Sequence, residues 1–205
     1  NRDAERLHIS LGLSDEPGER TIEDQYLPIG VASWDVDGVR VRQTAFATSI
    51  GGTDADGDPP AGDVPAVLMT RLVFENPSSE ESETRLALRV TAQDAREDIH
   101  CAPDGSILAG DRLRALVEWT GRGQTIADGD GVSLVATVPA GEDVTLVMKA
   151  PFLSPEGAEL DRLRSLDFAA EHGSVAGYWR RRLGEGSSLA TPEPMLNEFY
   201  RAHVG

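Results

Sequence analysis

Strict alternation of apolar and polar residues most limits how this chain can fold. In the segment TRLALRVTA, Leu86, Leu88 and Val90 fall on one face, and positions 85, 87, 89 and 91 fall on the other. Successive side chains of a β-strand point to opposite sides, so a period of two is typical of a strand with one buried face.

Two more alternating segments, VSLVATV and VTLVMKA, are predicted to form a hairpin joined by the turn at residues 139–143. Its apolar face would comprise Val132, Leu134, Ala136, Val138, Val144, Leu146 and Met148. The segment AVLMTRLVF is apolar on both faces and suits an interior strand. Short strands separated by turns rich in Gly, Pro and Asp predict a mainly β fold, an antiparallel β-sandwich over residues 1–153.

Helical spacing replaces alternation in residues 154–205, which are predicted to form a helical linker. The first stretch carries Leu160, Leu163 and Leu166. The second, SVAGYWRRRLGEG, places on one stripe Val175, Tyr178 or Trp179, and Leu183. A third helix is predicted to begin at Thr191, a preferred N-cap residue, with Pro192 at its first position.

The apolar stripes of this helical part need a partner, and the edge of a sandwich does not cover all three. We therefore expect the linker to lead toward a further domain. The side chains expected at that domain interface are Trp179, Leu183, Leu196, Phe199 and Tyr200.

Charge and motifs exclude several classes of function. The chain has 205 residues and a formal net charge of −16, from 35 acidic and 19 basic side chains. This excess repels phosphate backbones and anionic membrane surfaces, so neither nucleic acid nor a membrane is expected as a partner. The nucleophile-elbow, P-loop and dinucleotide-binding motifs are absent, and no cofactor is expected.

The acidic loop at residues 51–63 is the strongest metal candidate. Asp54, Asp56 and Asp58 have the spacing of the first three ligands of a calcium loop. Pro59 and Pro65 stand where such a loop needs Gly and Glu. A solvated acidic loop is therefore the preferred interpretation, and no metal site is predicted.

No catalytic residues are predicted either. His100 and Cys101 are adjacent, and neighbouring residues of a strand point to opposite faces, so they are not expected to share a proton. A structural Cys at a strand end is preferred. Carboxylates are so abundant that no pair stands out as the acid and base of a glycosidase.

The tryptophans of the strands are weighed as sugar-stacking platforms. Trp34 shares its strand face with Ala32 and Val36, and Trp119 shares its face with Leu113, Ala115 and Val117. These patterns favour core positions over sugar contact. Sugar contact by Trp34 or Trp119 is kept as the weaker hypothesis.

Three segments in order, WDVDGVRVRQTAFAT, VLMTRLVFENPSSEESETRLALRV and VSLVATVPAGEDVTLVMKAPFL, resemble a known family. They look like the N-terminal β-sandwich, a galactose-mutarotase-like supersandwich, of bacterial glycoside hydrolases with a six-hairpin, or (α/α)6, barrel. The segment GYWRRRLGEGSSLATPEPMLNEFYRAH is similar to the linker into such a barrel. The segment ending in NPSSE is expected to turn into the next strand as a sandwich hairpin.

The resemblance implies a non-catalytic accessory domain that packs against a C-terminal catalytic barrel absent from this sequence. That barrel would carry the catalytic carboxylates and would be the main partner of this domain. An autonomous carbohydrate-binding module is the alternative, with carbohydrate as its partner. A free-standing sandwich enzyme such as an aldose epimerase would need a facing His and Glu, a pair that the sequence does not single out.

Overall fold

The computed structural model describes residues 7–11, 18–51, 64–92, 99–128, 131–185, 192, 193 and 195, with the backbone alone for 7–11 and 89–92. In chain order the strands are β1 Leu7–Leu11, β2 Glu19–Ile22, β3 Gly30–Val36, β4 Val39–Ser49, β5 Ala66–Glu75, β6 Ser82–Ala92, β7 Ile99–Cys101, β8 Ser106–Ala109, β9 Arg112–Thr120, β10 Gly123–Asp128, β11 Gly131–Val138 and β12 Asp143–Pro151. The helices are α1 Ala158–Ser165 and α2 Phe168–Glu185, and a short 3₁₀ turn spans Glu23–Gln25.

The strands form two antiparallel sheets. The small sheet has the order β1-β6-β11-β10, and the large sheet has the order β2-β3-β4-β5-β12-β9-β8-β7. The expected mainly β sandwich followed by a short helical part is confirmed. The acidic loop with Asp54, Asp56 and Asp58 lies outside the described residues.

The apolar faces predicted from alternation meet between the two sheets. The small sheet contributes Leu86, Leu88, Val132, Leu134, Ala136 and Val138, and strand β12 contributes Val144, Leu146, Met148 and Ala150. All of these side chains are at most 3% exposed. The side chain of Val90 lies outside the described residues. Burial of these alternating faces from water is the main force that holds the sheets together.

The predicted hairpin of VSLVATV with VTLVMKA is wrong. Strand β11 pairs with β6 and β10 in the small sheet, whereas β12 pairs with β5 and β9 in the large sheet. The turn at residues 139–142 therefore crosses from one sheet to the other. Alternation shows which face of a strand is buried, but it does not show which strand lies beside it. The two apolar faces pack on each other equally well when their strands belong to opposite sheets.

The expected hairpin at NPSSE is wrong for the same reason, because β5 lies in the large sheet and β6 in the small one. The β5–β6 connection contacts the β11–β12 connection, at residues 139–142, through Asn76, which is 2% exposed. The Asn76 side chain donates to the carbonyls of Glu80 at 2.7 Å and Val138 at 3.0 Å. Its backbone N–H donates to the carbonyl of Glu142, and its carbonyl accepts from Gly141. Asn76 thus joins the two crossings.

Both helices pack on the outer face of the large sheet, where a second apolar cluster forms. The helices contribute Leu163, Leu166, Phe168, Val175 and Ala176, and the sheet contributes Phe46, Val67, Met69, Leu113 and Leu116. The predicted stripe of α1 is confirmed, since Leu163 and Leu166 are buried and Leu160 packs against them. The outer face of the sheet is thus the partner of these stripes.

Helix α2 begins at Phe168, earlier than the segment SVAGYWRRRLGEG suggests. Asp167 accepts a hydrogen bond from the backbone N–H of Ala170 at 2.8 Å, as an N-cap residue does. The glycines at 173 and 177 weaken the helical signal of the intervening sequence. Packing of Phe168 and Val175 on the sheet outweighs that weak propensity.

A β-bulge in β9 changes one predicted face. Ile107 pairs with Ala115, but its neighbour Leu108 pairs with Leu113, so β9 carries one extra residue, Arg114. The extra residue turns Leu113 toward the helices, whereas Ala115 remains in the core between the sheets. The prediction that Leu113 shares the face of Trp119 is therefore wrong.

Candidate functional site: the helical layer on the large sheet

The helical layer, α1 and α2, is held to the sheet by charged contacts around the apolar cluster. His172 of α2 lies 2.7 Å from Glu23 through its Nε2 atom. About two turns further along α2, Arg180 donates two hydrogen bonds to Asp24, at 3.1 and 2.7 Å, and approaches Glu23 at 3.5 Å. Glu23 and Asp24 thus engage two positions of α2 from a single turn.

The backbone of that turn explains how two adjacent carboxylates face the same helix. Asp24 has φ 50° and Gln25 has φ 64°, both in the left-handed region. Two successive residues in this region reverse the chain direction sharply, at a cost that surrounding contacts must offset. The pairs with His172 and Arg180 are among these contacts. Hydrogen bonding to Asp24 raises the pKa of Arg180 further above its already high value.

Aromatic rings line the inner side of α2. Phe168 meets Phe46 edge-on with ring centroids 5.1 Å apart, and His172 meets Phe46 in the same way at 5.6 Å. The guanidinium of Arg71 lies over the Phe168 ring, 4.7 Å from its centroid. Thr48 donates a hydrogen bond of 2.7 Å to Glu171. The first two turns of α2 are therefore fixed by apolar and polar contacts together.

Helix α1 is fixed by Lys149, the single lysine of the chain. Its side chain is 2% exposed and donates to Glu118 at 2.7 Å and to the backbone carbonyl of Arg164 at 2.9 Å. The second contact satisfies a carbonyl in the last turn of α1, where a cation also complements the helix dipole. Lys149 thus ties the centre of the sheet to the end of α1.

Asp104 holds the same helix from the β7–β8 turn. It accepts from the backbone N–H of Ser106 at 3.1 Å and from Arg164 at 3.1 Å. Hydrogen bonds from Ser106 first, and then the positive charge of Arg164, lower the pKa of Asp104.

These charged and polar groups fix the helices on the sheet. Both oxygens of Glu23 are engaged, one by His172 and the other by Arg180. Glu171 accepts from Thr48, and Glu118 accepts from Lys149. A carboxylate that serves as a general base needs a free oxygen directed at substrate. The cluster is arranged to position α2 instead.

The residues expected at a domain interface are found only in part among the described residues. Trp179 and Leu183 are half-buried on α2, and Trp179 packs against the apolar cluster. Tyr178 meets Trp179 edge-on at 5.4 Å. Leu196, Phe199 and Tyr200 lie outside the described residues. Their interface role, and that of Trp179 and Leu183, stays a prediction.

Both strand tryptophans lie at the core between the sheets. Trp34 is 6% exposed, and its Nε1 atom has no hydrogen-bond partner among the described residues. Trp119 is half-buried, stacks on Phe74 at 5.8 Å and donates to Thr125 at 3.0 Å. Sugar contact by either ring stays a prediction, and this packing leaves Trp34 hardly any surface to offer to a sugar.

His100 and Cys101 occupy strand β7, with His100 exposed and Cys101 half-buried against the core. Burial raises the pKa of the Cys101 thiol, which keeps it protonated and weakly nucleophilic at neutral pH.

Within the described ranges, no group of three His, Cys, Asp or Glu side chains is arranged to hold a metal ion. The described helices include none that is long and apolar enough to cross a membrane.

Sequence reasoning missed the anchors of the helical layer. Lys149 was visible as a single lysine in an apolar strand, VTLVMKA, and such a residue needs a partner once buried. The pairs of Glu23 with His172 and of Asp24 with Arg180 join positions about 150 residues apart, and no local pattern indicates them.

Comparison with models of known protein families finds no match to this chain, and comparison with curated proteins finds none either.

Proposed function

We propose that this chain is a non-catalytic sandwich domain that supports a helical catalytic domain, the (α/α)6 barrel of a glycoside hydrolase. The observation that carries the proposal is the anchoring of α2. Its buried side is held on the sheet by Phe168 and Val175, while Trp179 and Leu183 keep exposed surface. The resemblance of the strand segments to such sandwich domains supplies the class of the partner.

An anchored helix is a suitable platform for another domain. Docking onto a mobile helix would lose affinity, because that helix would have to be ordered on binding. The contacts of α2 with Glu23, Asp24 and Thr48 order it beforehand. Trp and Leu side chains on such a helix then offer apolar area at a low cost in conformational entropy.

The alternative, an autonomous carbohydrate-binding module, requires aromatic rings that stand free for stacking. The two strand tryptophans, Trp34 and Trp119, pack instead against the core between the sheets. The supporting role is therefore the stronger proposal.

The first test is to read the coding DNA beyond the codon for Gly205. We expect the frame to continue for several hundred residues of paired helices. A stop codon directly after Gly205 would overturn the proposal and make sugar binding by the sandwich itself the leading idea.

The second test uses the whole protein that this reading frame encodes. The double substitution of Trp179 and Leu183 by Ala should lower the melting temperature of the whole protein and its rate of oligosaccharide hydrolysis. Arg162→Ala, an exposed change on α1, is the matched control and should leave both unchanged. Equal behaviour of the two variants would contradict an interface at Trp179 and Leu183.

A further inference from the structure

The helices cover only part of the outer face of the large sheet, and beside α2 the described side chains of this face are partly exposed or buried. Side chains on this face alternate with those of the core, so Thr44, Arg71 and Val147 share the face of Phe46, Met69 and Lys149, one row further along the strands. Arg71 pairs in register with both Thr44 and Val147. Together with the next row, Val73 and Thr145, these residues define the open shelf.

Arg71 is the unusual residue of the shelf. It is half-buried, and its described contact is the Phe168 ring. Within the part of the chain that the structure describes, seven other arginines lie within 4 Å of a carboxylate, namely Arg40, Arg42, Arg85, Arg122, Arg164, Arg180 and Arg182. Arg71 has no such partner among the described residues, although the chain carries 35 acidic side chains. Partial burial of a charge without a counter-ion is unfavourable.

Three acidic groups on the same or neighbouring elements are engaged elsewhere. Glu118, which pairs in register with Val147, accepts from Lys149. Glu171, one turn along α2 from Phe168, accepts from Thr48. Glu75 forms an ion pair with Arg42. The positive charge of Arg71 therefore stays uncompensated by these carboxylates.

The shape of the shelf limits the size of what it would accept. Helix α2 borders it at Arg71, and the Arg42–Glu75 ion pair borders it at the other end. Arg71 and Glu75 are four residues apart on one strand, about 13 Å at 3.3–3.4 Å per residue. Val73 and Val147 add apolar surface, and Thr44, which is 9% exposed, pairs in register with Arg71. This space suits a small molecule better than a folded partner.

We propose that the open shelf binds a small organic carboxylate, with Arg71 as the residue that recognises the acid group. A guanidinium offers parallel N–H donors that match the two oxygens of a carboxylate. The guanidinium lies over the Phe168 ring, a contact that holds its positive charge beside the shelf. This site is distinct from the interface proposed at Trp179 and Leu183, so either proposal can fail without the other.

The test is titration calorimetry of the 205-residue chain with D-glucuronate and with succinate, using neutral D-glucose as the ligand control. Three variants separate the contributions. Arg71→Gln removes the charge, Arg71→Lys keeps the charge without the paired donors, and Arg162→Gln removes one charge from an exposed site on α1. Circular dichroism checks that each variant is folded.

We expect at least one acid to bind and glucose not to bind. Arg71→Gln should weaken binding about tenfold or more, Arg71→Lys should weaken it less, and Arg162→Gln should change it by less than about twofold. Absence of binding by either acid at millimolar concentration would overturn the proposal. So would equal binding by the wild type and a folded Arg71→Gln variant.

Discussion

Lys149 shows how a single buried charge shapes this protein. The lysine side chain is 2% exposed, whereas the side chain of its partner Glu118 is 55% exposed. Removing one member of the pair therefore has unequal consequences. Without the lysine, Glu118 is left in water, but without Glu118 the ammonium group is left buried with only the carbonyl of Arg164.

We expect Lys149→Met to change the free energy of unfolding by no more than about 1 kcal/mol, since the lost hydrogen bond is offset by relief of the buried charge. Glu118→Gln should cost roughly 1–2 kcal/mol, because the buried ammonium loses its counter-charge. Urea denaturation of both variants measures the difference. A larger loss for Lys149→Met than for Glu118→Gln would contradict this account.

Asp104 makes stability depend on pH in the acid range. Its pKa is lowered in the folded protein, chiefly by the hydrogen bonds from Ser106. The folded state thus binds this proton less readily, so the contribution of Asp104 is present above the usual pKa of an aspartate and is lost as the pH falls through the lowered value. Because the Asp104 side chain is 53% exposed, we expect an effect of only a few tenths of a kcal/mol, about what an exposed pair contributes.

Urea denaturation at pH 5 and pH 3 tests this contribution. The wild type should lose slightly more stability over this interval than Asp104→Asn, which keeps an acceptor for Ser106 but cannot ionise. Ser106→Ala should reduce part of the extra loss of stability that the wild type shows between pH 5 and pH 3. Identical pH dependence for the wild type and Asp104→Asn would show that Asp104 does not contribute.

At the scale of elements, two connections that cross between the sheets stand where the sequence predicts two hairpins. Asn76 is the point at which the β5–β6 and β11–β12 connections touch, through its side chain and both of its backbone groups. Its Oδ1 atom also accepts from the backbone N–H of Ser78 at 3.0 Å. Most of these polar groups are buried away from water, so each needs its hydrogen bond with Asn76.

Asn76→Ala should lower the free energy of unfolding by about 2–4 kcal/mol, because the buried carbonyl of Val138 loses this donor and the side-chain link between the two connections is lost. Ser78→Ala is the matched control in the same loop. It removes two exposed hydrogen bonds with the backbone of Glu80 and should cost less than about 1 kcal/mol. Equal costs for the two variants in urea denaturation would mean that Asn76 does not join the crossings.

At the scale of the whole molecule, the helical layer completes the fold of the sandwich. Leu163, Leu166, Phe168 and Val175 are each at most 8% exposed on the outer face of the large sheet. Burial of each large apolar side chain contributes about 1.5–3 kcal/mol, which adds up to much of the 5–15 kcal/mol stability of a typical domain. The helical layer is therefore an integral part of the folded unit.

Two truncations test this role. Ending the chain at residue 186 should leave the melting temperature nearly unchanged, since α1 and α2 remain complete. Ending it at residue 153 should lower the melting temperature strongly and favour aggregation, because Phe46, Met69 and Leu116 lose their cover. A large loss from the first truncation would mean that residues 187–205 pack on the sandwich. No loss from the second would contradict the role of the helices.

The sequence by itself determined the fold class, the buried face of most strands and the apolar stripe of α1, because these depend on the local period of 2.0 or 3.6 residues. Leu86, Leu134 and Leu163 are buried as that period predicts. Tertiary structure alone decided which sheet each strand joins and where the charged anchors meet. A buried face does not specify the strand that covers it, and the contacts of Glu23 with His172 and of Lys149 with Arg164 arise only when distant segments pack together.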